Sequence, residues 1–332
     1  RIMEVCGTHT HEIFRLGIRK LLPEQVELIS GPGCPVCVTQ VGFIDEAIYL
    51  ALERQVTICT FGDLVRVPGT NMSLAGAREK GAKIRIVYSP VDAKEYAKEH
   101  PKEQVTFLSV GFETTTPSAC LSVKKAREEG LTNYSILTAN KTMPQAYEAL
   151  KGSADIFLYP GHVNAITGTK LCEELAKEGV SGVVAGFTAK ELLTALAVAL
   201  ARFQEGRPFF VNCYPRVVTE NGSPQAQKLV EEMMEPCDSE WRGLGVIKGS
   251  GMRLQEEWSA FDARKKYKIP LIQGKANPAC RCGDVLQGKC KPSDCKVFGK
   301  VCTPQHPIGA CMVSGEGACS AYYMYGEAEK MK

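Results

Sequence analysis

The 332-residue sequence predicts an α/β fold: two doubly wound parallel-sheet domains that face a cleft, followed by a C-terminal cysteine-rich iron–sulfur domain. Three observations support this expectation. Short β-branched runs alternate with helical patterns from about residue 24 to residue 204, which is typical of βαβ units. The chain is longer than one hydrophobic core usually supports. Seven of the fifteen cysteines fall between Cys280 and Cys319.

The alternation is regular enough to place each element. The predicted strands are residues 26–29, 56–60, 84–88, 105–110, 135–139, 155–159 and 182–185. The predicted helices are residues 40–53, 72–80, 92–99, 118–129, 144–150, 170–178 and 189–203. In the first helix, Val41, Ile44 and Ile48 recur at helical spacing.

These elements suggest three domains. A charged stretch around Pro101 interrupts the pattern, so we expect a first α/β domain at 1–103 and a second at 104–206, with some exchange of chain between them left open. After about residue 208 the alternation stops. We expect a loop-rich domain at 207–332 that needs a metal to hold together.

Composition excludes several function classes. A net charge of +3 with interspersed acidic and basic residues argues against a nucleic-acid surface. No apolar run is long enough to span a membrane, and no secretory leader pattern opens the chain. A cytoplasmic location is therefore expected. Persistent disulfides are rare there, so the cysteines indicate metal or redox chemistry.

Unusual loops follow four of the predicted strands, at residues 30–37, 111–117, 139–144 and 160–165. Ligands of doubly wound sheets bind outside the carboxyl ends of the strands, so we expect these loops to converge on one cleft between the first two domains. Glu113 lies among three threonines and is a candidate general acid or base. A helix-capping carboxylate is the alternative.

Cys34 and Cys37 lie three residues apart, just before a helix predicted to begin near Thr39. The free N–H groups and the dipole of a helix N-terminus favour a thiolate and lower the pKa of a cysteine. We therefore expect a nucleophile, a ligand or half of a reversible disulfide at this position. Two buried, inert cysteines beside a Gly-Pro turn are the alternative.

A second thiol motif occurs near the start of the chain. Cys6, His9 and His11 offer one thiolate and two imidazoles within six residues, which are ligand types that suit iron, nickel or zinc. Three ligands leave a metal site open, so a partner would have to complete it. A helix N-terminus capped by Thr8 or Thr10 is the alternative.

The tail cysteines favour an iron–sulfur cluster over zinc. Only Cys290 and Cys295 have the spacing of a zinc knuckle, and no second knuckle completes a set. Cluster ligands are more dispersed in sequence. The expected ligands are four of five cysteines, with Cys280 and Cys290 less favoured: Cys295, Cys302, Cys311 and Cys319, with Cys282 as the main substitute.

Four motifs together resemble the HypD family of hydrogenase maturation proteins. They are Cys-Gly-Thr-His-Thr at 6–10, Gly-Pro-Gly-Cys-Pro-Val-Cys at 31–37, Gly-Phe-Glu-Thr-Thr-Thr-Pro at 111–117, and Cys-Thr-Pro at 302–304 with Cys-Met-Val-Ser-Gly-Glu-Gly-Ala-Cys at 311–319. The resemblance covers residues 3–325. It implies an assembly scaffold, rather than a turnover enzyme, for the iron centre of [NiFe]-hydrogenases, an iron with two cyanides and one carbon monoxide.

The resemblance also implies cofactors, partners and residue roles. A [4Fe-4S] cluster, a small HypC-type chaperone and a HypE-type cyanide donor are implied, with the hydrogenase large subunit an indirect partner and no nucleic acid or membrane involved. Cluster electrons would reach a redox pair of cysteines. The implied roles are Cys6 as the iron ligand, His9 as its neighbour, Cys34 and Cys37 as the redox pair, and Glu113 and Thr114 as residues lining the same cleft.

Two other functions remain open at this point. In the first, the chain is a cluster-dependent thiol–disulfide reductase, which would not need Cys6 or His9. In the second, the α/β pair binds a sugar or an amino acid and the tail holds an incidental zinc ion, because the fold alone would allow it.

Overall fold

The computed structural model describes residues 1–326 and contains eleven strands and fourteen α-helices within that range. The strands are β1 Ile2–Glu4, β2 Leu28–Ser30, β3 Thr57–Thr60, β4 Ile84–Ile86, β5 Val105–Gly111, β6 Tyr134–Asn140, β7 Ile156–Pro160, β8 Ser181–Ala185, β9 Phe210–Asn212, β10 Met234–Trp241 and β11 Gly245–Leu254. The helices are α1 Gly7–Arg15, α2 Pro35–Val38, α3 Val41–Glu53, α4 Leu74–Glu79, α5 Pro90–Glu99, α6 Thr116–Glu128, α7 Met143–Ala149, α8 Gly161–Thr167, α9 Lys170–Lys177, α10 Ala189–Phe203, α11 Pro224–Met233, α12 Ala263–Lys266, α13 Cys282–Leu286 and α14 Ala318–Tyr325. Short 3-10 helices occur at Ile18–Leu21, Gly62–Arg66, Glu256–Phe261, Pro292–Asp294 and Ala310–Met312.

Nine of the strands form two parallel sheets. The first sheet has the order β2-β1-β7-β8-β9 and the second has the order β4-β3-β5-β6. In both orders the chain first adds a strand on one side and then reverses direction. This is the doubly wound pattern, with the reversal between β1 and β7 in the first sheet and between β3 and β5 in the second. The predicted α/β class is confirmed.

Each of the seven strands and seven helices predicted from the sequence overlaps an observed element. The pattern missed β1 and β9, which have only three residues each and are too short to show a period. It also missed the antiparallel hairpin of β10 and β11. Asp, Pro and Glu residues interrupt β10, and these residue types are depleted in strands.

The chain passes between the sheets more than once. Residues 1–103 supply β1 and β2 to the first sheet and β3 and β4 to the second, and residues 104–206 likewise supply two strands to each. This is the exchange of chain that the sequence left open. The division into folding units at residues 103 and 206 stays a prediction.

The segment from residue 207 onward contains more regular structure than the expected loop-rich domain. β9 completes the first sheet, α11 has ten residues, and the hairpin strands have eight and ten. Extended loop is concentrated at residues 269–281, where no helix or strand occurs. Whether this segment is an iron–sulfur domain stays a prediction.

A buried apolar cluster joins the carboxyl ends of both sheets. It includes Val5, which follows β1, and Phe112, which follows β5. Trp241 at the end of β10 is fully buried in the same cluster and stacks on Phe112 with ring centroids 5.8 Å apart. The hairpin is therefore part of the core that the two sheets share.

Lys141, directly after β6, ties this hairpin to the second sheet. The side chain is 1% exposed, and its Nζ donates to Ser239 Oγ at 2.6 Å and to the Glu240 carbonyl at 2.7 Å. Burial disfavours the ammonium form and lowers the pKa of Lys141 to about 7.

No helix in the part of the chain that the structure describes is long and apolar enough to cross a bilayer. The cytoplasmic location stays a prediction.

Replacing Lys141 by Met should lower the free energy of unfolding by about 1–3 kcal/mol near pH 7, because a buried hydroxyl and a buried carbonyl lose their donor. The folded-state pKa of about 7 lies below the unfolded value of 10.5, so the folded state binds fewer protons between these pH values. The stability of the unsubstituted protein should therefore rise from pH 7 to pH 10, and the gap to the Met variant should widen. Urea unfolding of both proteins across this range measures the effect, and parallel pH profiles would contradict it.

Candidate functional site

Cys6 lies at the carboxyl end of β1, beside the reversal point of the first sheet. It is the residue before α1 and has extended backbone angles, φ −150° and ψ 125°. Its side chain is buried, and neither Thr8 nor Thr10 caps the helix. The helix-cap alternative is therefore wrong, and Cys6 occupies the position where doubly wound folds bind their ligands.

Glycines bring the Cys6 loop and the Cys34 loop into direct backbone contact. A Cβ added to Gly33 would lie 2.1 Å from the Cys6 nitrogen and 2.2 Å from its Cα. The Gly7 N–H donates to the Gly33 carbonyl at 3.0 Å. A Cβ added to Gly7 would lie 3.1 Å from the Cys34 Cβ. The two thiol motifs, separated by 27 residues in sequence, therefore share one location.

Cys34 caps the short helix α2, and its Sγ accepts from the Cys37 N–H at 3.3 Å. Cys34 and Cys37 are 2% and 0% exposed. Burial raises the pKa of Cys37 well above its usual value, so the lowered pKa that the sequence predicts is wrong for this residue. The desolvation of a thiolate outweighs the dipole of a four-residue helix.

The thiol of Cys37 has a cysteine of the tail as a neighbour. It lies beside the thiols of Cys34 and Cys311, because α2 packs on the 3-10 turn Ala310–Met312. The Sγ atoms of Cys311 and Cys282 are 2.7 Å apart, and Cys319 is also next to Cys311. Each thiol in the series Cys34, Cys37, Cys311 and Cys282 therefore lies next to the one before it.

Six tail cysteines line one small cavity, which we call the cysteine cavity: Cys280, Cys282, Cys295, Cys302, Cys311 and Cys319. All five of the expected cluster ligands are among them. Cys280, which spacing ranked low, also lines it, because the turn at Gly309 packs against its sulfur. Cys290 lines a different cavity.

The cysteine cavity offers six thiols, two more than an iron–sulfur cluster requires. Within residues 1–326, no three Cys, His, Asp or Glu side chains are grouped so that they could hold one metal ion. An iron–sulfur cluster takes four thiolates around several irons, so its ligands need not converge on one point. The residues present fit such a group, although the 2.7 Å contact between Cys282 and Cys311 would have to open.

A segment of the tail covers Cys6. The Thr8 hydroxyl donates to Glu316 Oε1 at 2.5 Å, and a Cβ added to Gly7 would lie 2.8 Å from the Glu316 Cβ. The segment of residues 314–317, which we call the strap, lies between Cys311 and Cys319 in sequence. The strap therefore contacts the Cys6 loop and is covalently continuous with two cysteines of the cysteine cavity.

The covered environment changes the acidity of Cys6. Burial raises the pKa of this thiol to about 12. A backbone N–H from His9 opposes the increase, and the charge of Glu316 adds to it. Cys6 is therefore a protonated thiol at neutral pH in the absence of a metal.

His9 is a neutral, buried imidazole. Its Nε2 lies 3.0 Å from the Gly186 carbonyl, so Nε2 carries the proton and donates. Burial lowers the pKa of His9 to about 4. Its Nδ1 is buried and has no hydrogen-bond partner. A nitrogen lone pair is thus available inside the site.

His162 belongs to the same site and was not selected from the sequence. It stacks on Phe187 at 5.0 Å, and Phe187 in turn lies 4.9 Å from the His9 ring. The only sign of His162 in the sequence was its place in the unusual segment at residues 160–165, directly after a predicted strand. In the structure this residue lies in α8, which follows β7. The sequence offered no reason to prefer it over its neighbours, because only the fold brings the loop to His9.

Glu113 lies at the carboxyl end of β5 and faces α7. Its Oε1 accepts from the Met143 N–H at 2.8 Å, which is the helix-capping role that the sequence left open. Oε2 is buried without a partner, although other atoms of the residue are exposed. Burial raises the pKa of Glu113 to about 7. Thr114 is half-buried in the same loop.

Tyr147 in α7 is another buried titratable group in this region. Burial raises the pKa of Tyr147 well above its usual value, and nearby Cys172, Glu113 and Cys6 contribute to the increase. Its hydroxyl is buried and unpaired. The sequence did not single out Tyr147, because an aromatic side chain at this position of a helix is usually part of the hydrophobic core.

The predicted cleft is closed in this structure. The strand-end loops do converge, but Cys6, His9, Cys34 and Cys37 are all buried rather than placed on a rim. The strap and the turn at residues 310–312 pack over these loops. The site around these four residues is therefore enclosed.

Known proteins resemble this chain over nearly its whole length. A family model, HypD, described as the hydrogenase formation hypA family, matches residues 1–326. The chain belongs to this family. Proteins called hydrogenase maturation factor HypD are 42% identical in Cupriavidus necator (98% of this chain, 89% of that protein), 43% in Escherichia coli K12 (99% and 90%) and 44% in Rhizobium leguminosarum bv. viciae (98% and 88%). The family resemblance carried by the four motifs is confirmed, and this HypD-family chain is a hydrogenase maturation factor.

Replacing Gly33 by Ala should separate the two thiol loops, because the added Cβ meets the Cys6 backbone and not a flexible side chain. We expect a loss of about 1–3 kcal/mol in the free energy of unfolding. Gly76→Ala is the matched control, since this glycine lies in α4 with its nearest neighbour at 3.4 Å, and Ala should raise stability slightly. Denaturant unfolding measures both variants, and equal stabilities would contradict the contact.

Alkylation at neutral pH should follow exposure rather than helix position. The half-buried Cys213, Cys237 and Cys290 should react before Cys34 and Cys37. Cys37 should react as slowly as two other buried cysteines, Cys59 in β3 and Cys172 in α9. Peptide mass spectrometry at several reaction times measures the order, and early modification of Cys37 would refute the burial argument.

Proposed function

We propose that this chain is the scaffold on which the iron centre of a [NiFe]-hydrogenase, an iron with two cyanides and one carbon monoxide, is assembled. One observation carries the proposal: the Cys6 backbone packs on Gly33, so that the Cys6 thiol shares a buried site with Cys34 and Cys37. In this proposal Cys6 holds the iron, which is the cargo of the scaffold. In this role the chain acts stoichiometrically with its partners and not as a turnover enzyme.

The Cys6 thiol must lose its proton before it can bind iron, because the thiolate is the ligand. With a pKa of about 12, this proton stays on Sγ until iron displaces it. Iron binding should therefore release a proton at neutral pH. Cys6 and His9 alone leave the coordination shell of iron incomplete, which supports a HypC-type chaperone that supplies further ligands.

Three unpaired polar groups support a polar ligand at this site. His9 Nδ1, Glu113 Oε2 and the Tyr147 hydroxyl are buried without partners. Such groups are rare in folded proteins and cost free energy when left unpaired. Protonated Glu113 and the Tyr147 hydroxyl are suited to donate to the nitrogen of an iron-bound cyanide, a strong acceptor. Cyanide would come from a HypE-type donor.

Cys34 and Cys37 serve as a dithiol in this proposal. Their oxidation to a disulfide releases two electrons and two protons, and reduction reverses this. Four of Cys282, Cys295, Cys302, Cys311 and Cys319 would hold a [4Fe-4S] cluster. When bound, such a cluster accepts or supplies single electrons.

A second candidate function is a cluster-dependent thiol–disulfide reductase. The specific observation that favours it is the contact between Cys37 and Cys311, which places a dithiol beside the cysteine cavity. A reductase has no use for Cys6 or for the unpaired Nδ1 of His9. The scaffold accounts for both features, so we prefer it, with the hydrogenase large subunit as an indirect partner.

Anaerobic purification with a HypC-type partner, followed by infrared spectroscopy and iron and sulfide analysis, tests the proposal. The unsubstituted protein should show bands of iron-bound cyanide and carbon monoxide and about four further irons per chain. Cys6→Ala should lose the bands but keep the sulfide, because Cys6 does not line the cysteine cavity. Cys302→Ala should lose sulfide. The control Cys213→Ala, at a half-buried position outside the site, should retain both signals.

The outcomes separate the two functions. Bands that persist in Cys6→Ala would remove Cys6 as the iron ligand and refute the scaffold as drawn. Disulfide reduction that turns over in both the unsubstituted protein and Cys6→Ala, without any cyanide band, would establish the reductase instead.

A further inference from the structure

A fully buried carboxylate, that of Glu4, lies at the end of β1 and two residues before Cys6. Its sequence neighbours Met3 and Val5 are apolar and equally buried, so apolar packing is already available to hold this strand. A buried carboxylate costs free energy unless hydrogen bonds compensate for the water that it loses. The partners of Glu4 therefore indicate what the carboxylate does.

The side chain of Glu4 accepts hydrogen bonds from three separate segments. Its Oε2 accepts from the Thr10 hydroxyl at 2.7 Å and from the Ser30 hydroxyl at 3.1 Å. Its Oε1 accepts from Arg19 Nη2 at 2.5 Å. Thr10 belongs to α1, Ser30 ends β2, and Arg19 lies in the 3-10 helix that follows α1. One carboxylate therefore joins all three segments to the end of β1.

Thr10 connects Glu4 to the Cys6 loop. Thr10 directly follows His9 in the sequence, and its backbone N–H donates to the Cys6 carbonyl at 3.1 Å. This bond closes the first turn of α1. The Thr10 hydroxyl therefore anchors on Glu4 the turn that carries both Cys6 and His9.

Ser30 connects Glu4 to the Cys34 loop. Ser30 directly precedes the turn that leads through Gly33 to Cys34. The Gly31 N–H also donates to the main-chain carbonyl of Glu4 at 2.8 Å. Side chain and main chain of Glu4 therefore hold the beginning of this loop together.

Arg19 fixes the direction in which the Glu4 carboxylate points. Its Nη1 donates to the Leu28 carbonyl of β2, and its guanidinium lies 4.3 Å from the centroid of the Phe14 ring in α1. Because the guanidinium is held by both elements, the oxygen of Glu4 that it binds is held as well. The other oxygen then has to face Thr10 and Ser30.

We propose that Glu4 is a positioning residue of the iron site. Its carboxylate sets the distance between the first turn of α1, with Cys6 and His9, and the loop that carries Cys34. Hydrogen bonds have a preferred direction, whereas apolar contacts allow packed elements to shift. Groups that orient metal ligands in this way commonly affect metal affinity without touching the metal. The inference rests on the proposed scaffold function, because it takes Cys6 as the iron ligand.

Titration of ferrous iron against a coloured chelator, under anaerobic conditions and with the HypC-type partner present, tests the proposal. Glu4→Gln and Thr10→Val should each lower iron affinity about tenfold. Thr106→Val is the matched control. Thr106 is equally buried and its hydroxyl bonds to Ser135 Oγ at 2.8 Å, but it lies near the amino end of β5. Both threonine variants should lower the urea midpoint of unfolding, and only Thr10→Val should lose iron affinity.

A double variant tests whether Thr10 acts through Glu4. In the Glu4→Gln background, Thr10→Val should change iron affinity by less than about twofold, because the shared acceptor is already lost. Losses that multiply would show that Thr10 acts without Glu4 and would overturn the proposal. Equal iron affinities in Thr10→Val and Thr106→Val would overturn it too. If Glu4→Gln does not fold, Thr10→Val and Ser30→Ala, which keep the ion pair with Arg19, are compared with Thr106→Val instead.

Failure of the scaffold function is recognised separately. It would appear as equal iron binding by the unsubstituted chain and Cys6→Ala. The positioning by Glu4 is then measured by amide hydrogen exchange, which does not depend on iron. Glu4→Gln should speed exchange in residues 6–15 and 30–38 together, relative to Thr106→Val. Unchanged exchange in either segment would refute the role of Glu4.

Discussion

The contact between the Gly33 backbone and the Cys6 backbone is the constraint on which the rest of the site depends. Any side chain at residue 33 would overlap the Cys6 main chain, and the hydrogen bond from Gly7 to the Gly33 carbonyl closes the same junction. Because β1 and β2 are neighbours, their carboxyl ends already lie side by side. The glycine converts this proximity into direct contact, and the thiols of Cys6 and Cys34 are placed by backbone rather than by flexible side chains.

The tail completes what the two sheets begin. Cys6 follows a strand of the first sheet, Glu113 follows a strand of the second sheet, and α7 supplies Tyr147. The strap then covers Cys6 through the Thr8–Glu316 hydrogen bond, while the cysteines on either side of the strap reach the cysteine cavity. The strap therefore joins the cysteine cavity to the Cys6 loop through the four residues 314–317.

Burial sets the chemistry of this site more than local helix structure does. It raises the pKa of Cys6 to about 12, raises that of Glu113 to about 7 and lowers that of His9 to about 4, so Cys6 and His9 are uncharged at neutral pH and Glu113 is about half protonated. In the proposed scaffold, such an enclosed site would keep water away from bound carbon monoxide and cyanide and would strengthen each remaining hydrogen bond. This fits a scaffold that holds a reactive metal fragment until a partner takes it.

The sequence by itself determined the α/β class, the seven strands and seven of the nine helices of the alternating region, and the grouping of the thiols into three motifs, because these depend on local periodicity and residue type. Only the tertiary structure decided which strands share a sheet, since parallel strands pair across long connections that carry no local signal. It also placed Cys280 in the cysteine cavity and brought His162 close to His9, because distant segments meet at these residues only in the folded chain. The error on the acidity of Cys37 has the same cause: helix position is visible in the sequence, whereas the burial that outweighs it arises only when the tail packs over α2.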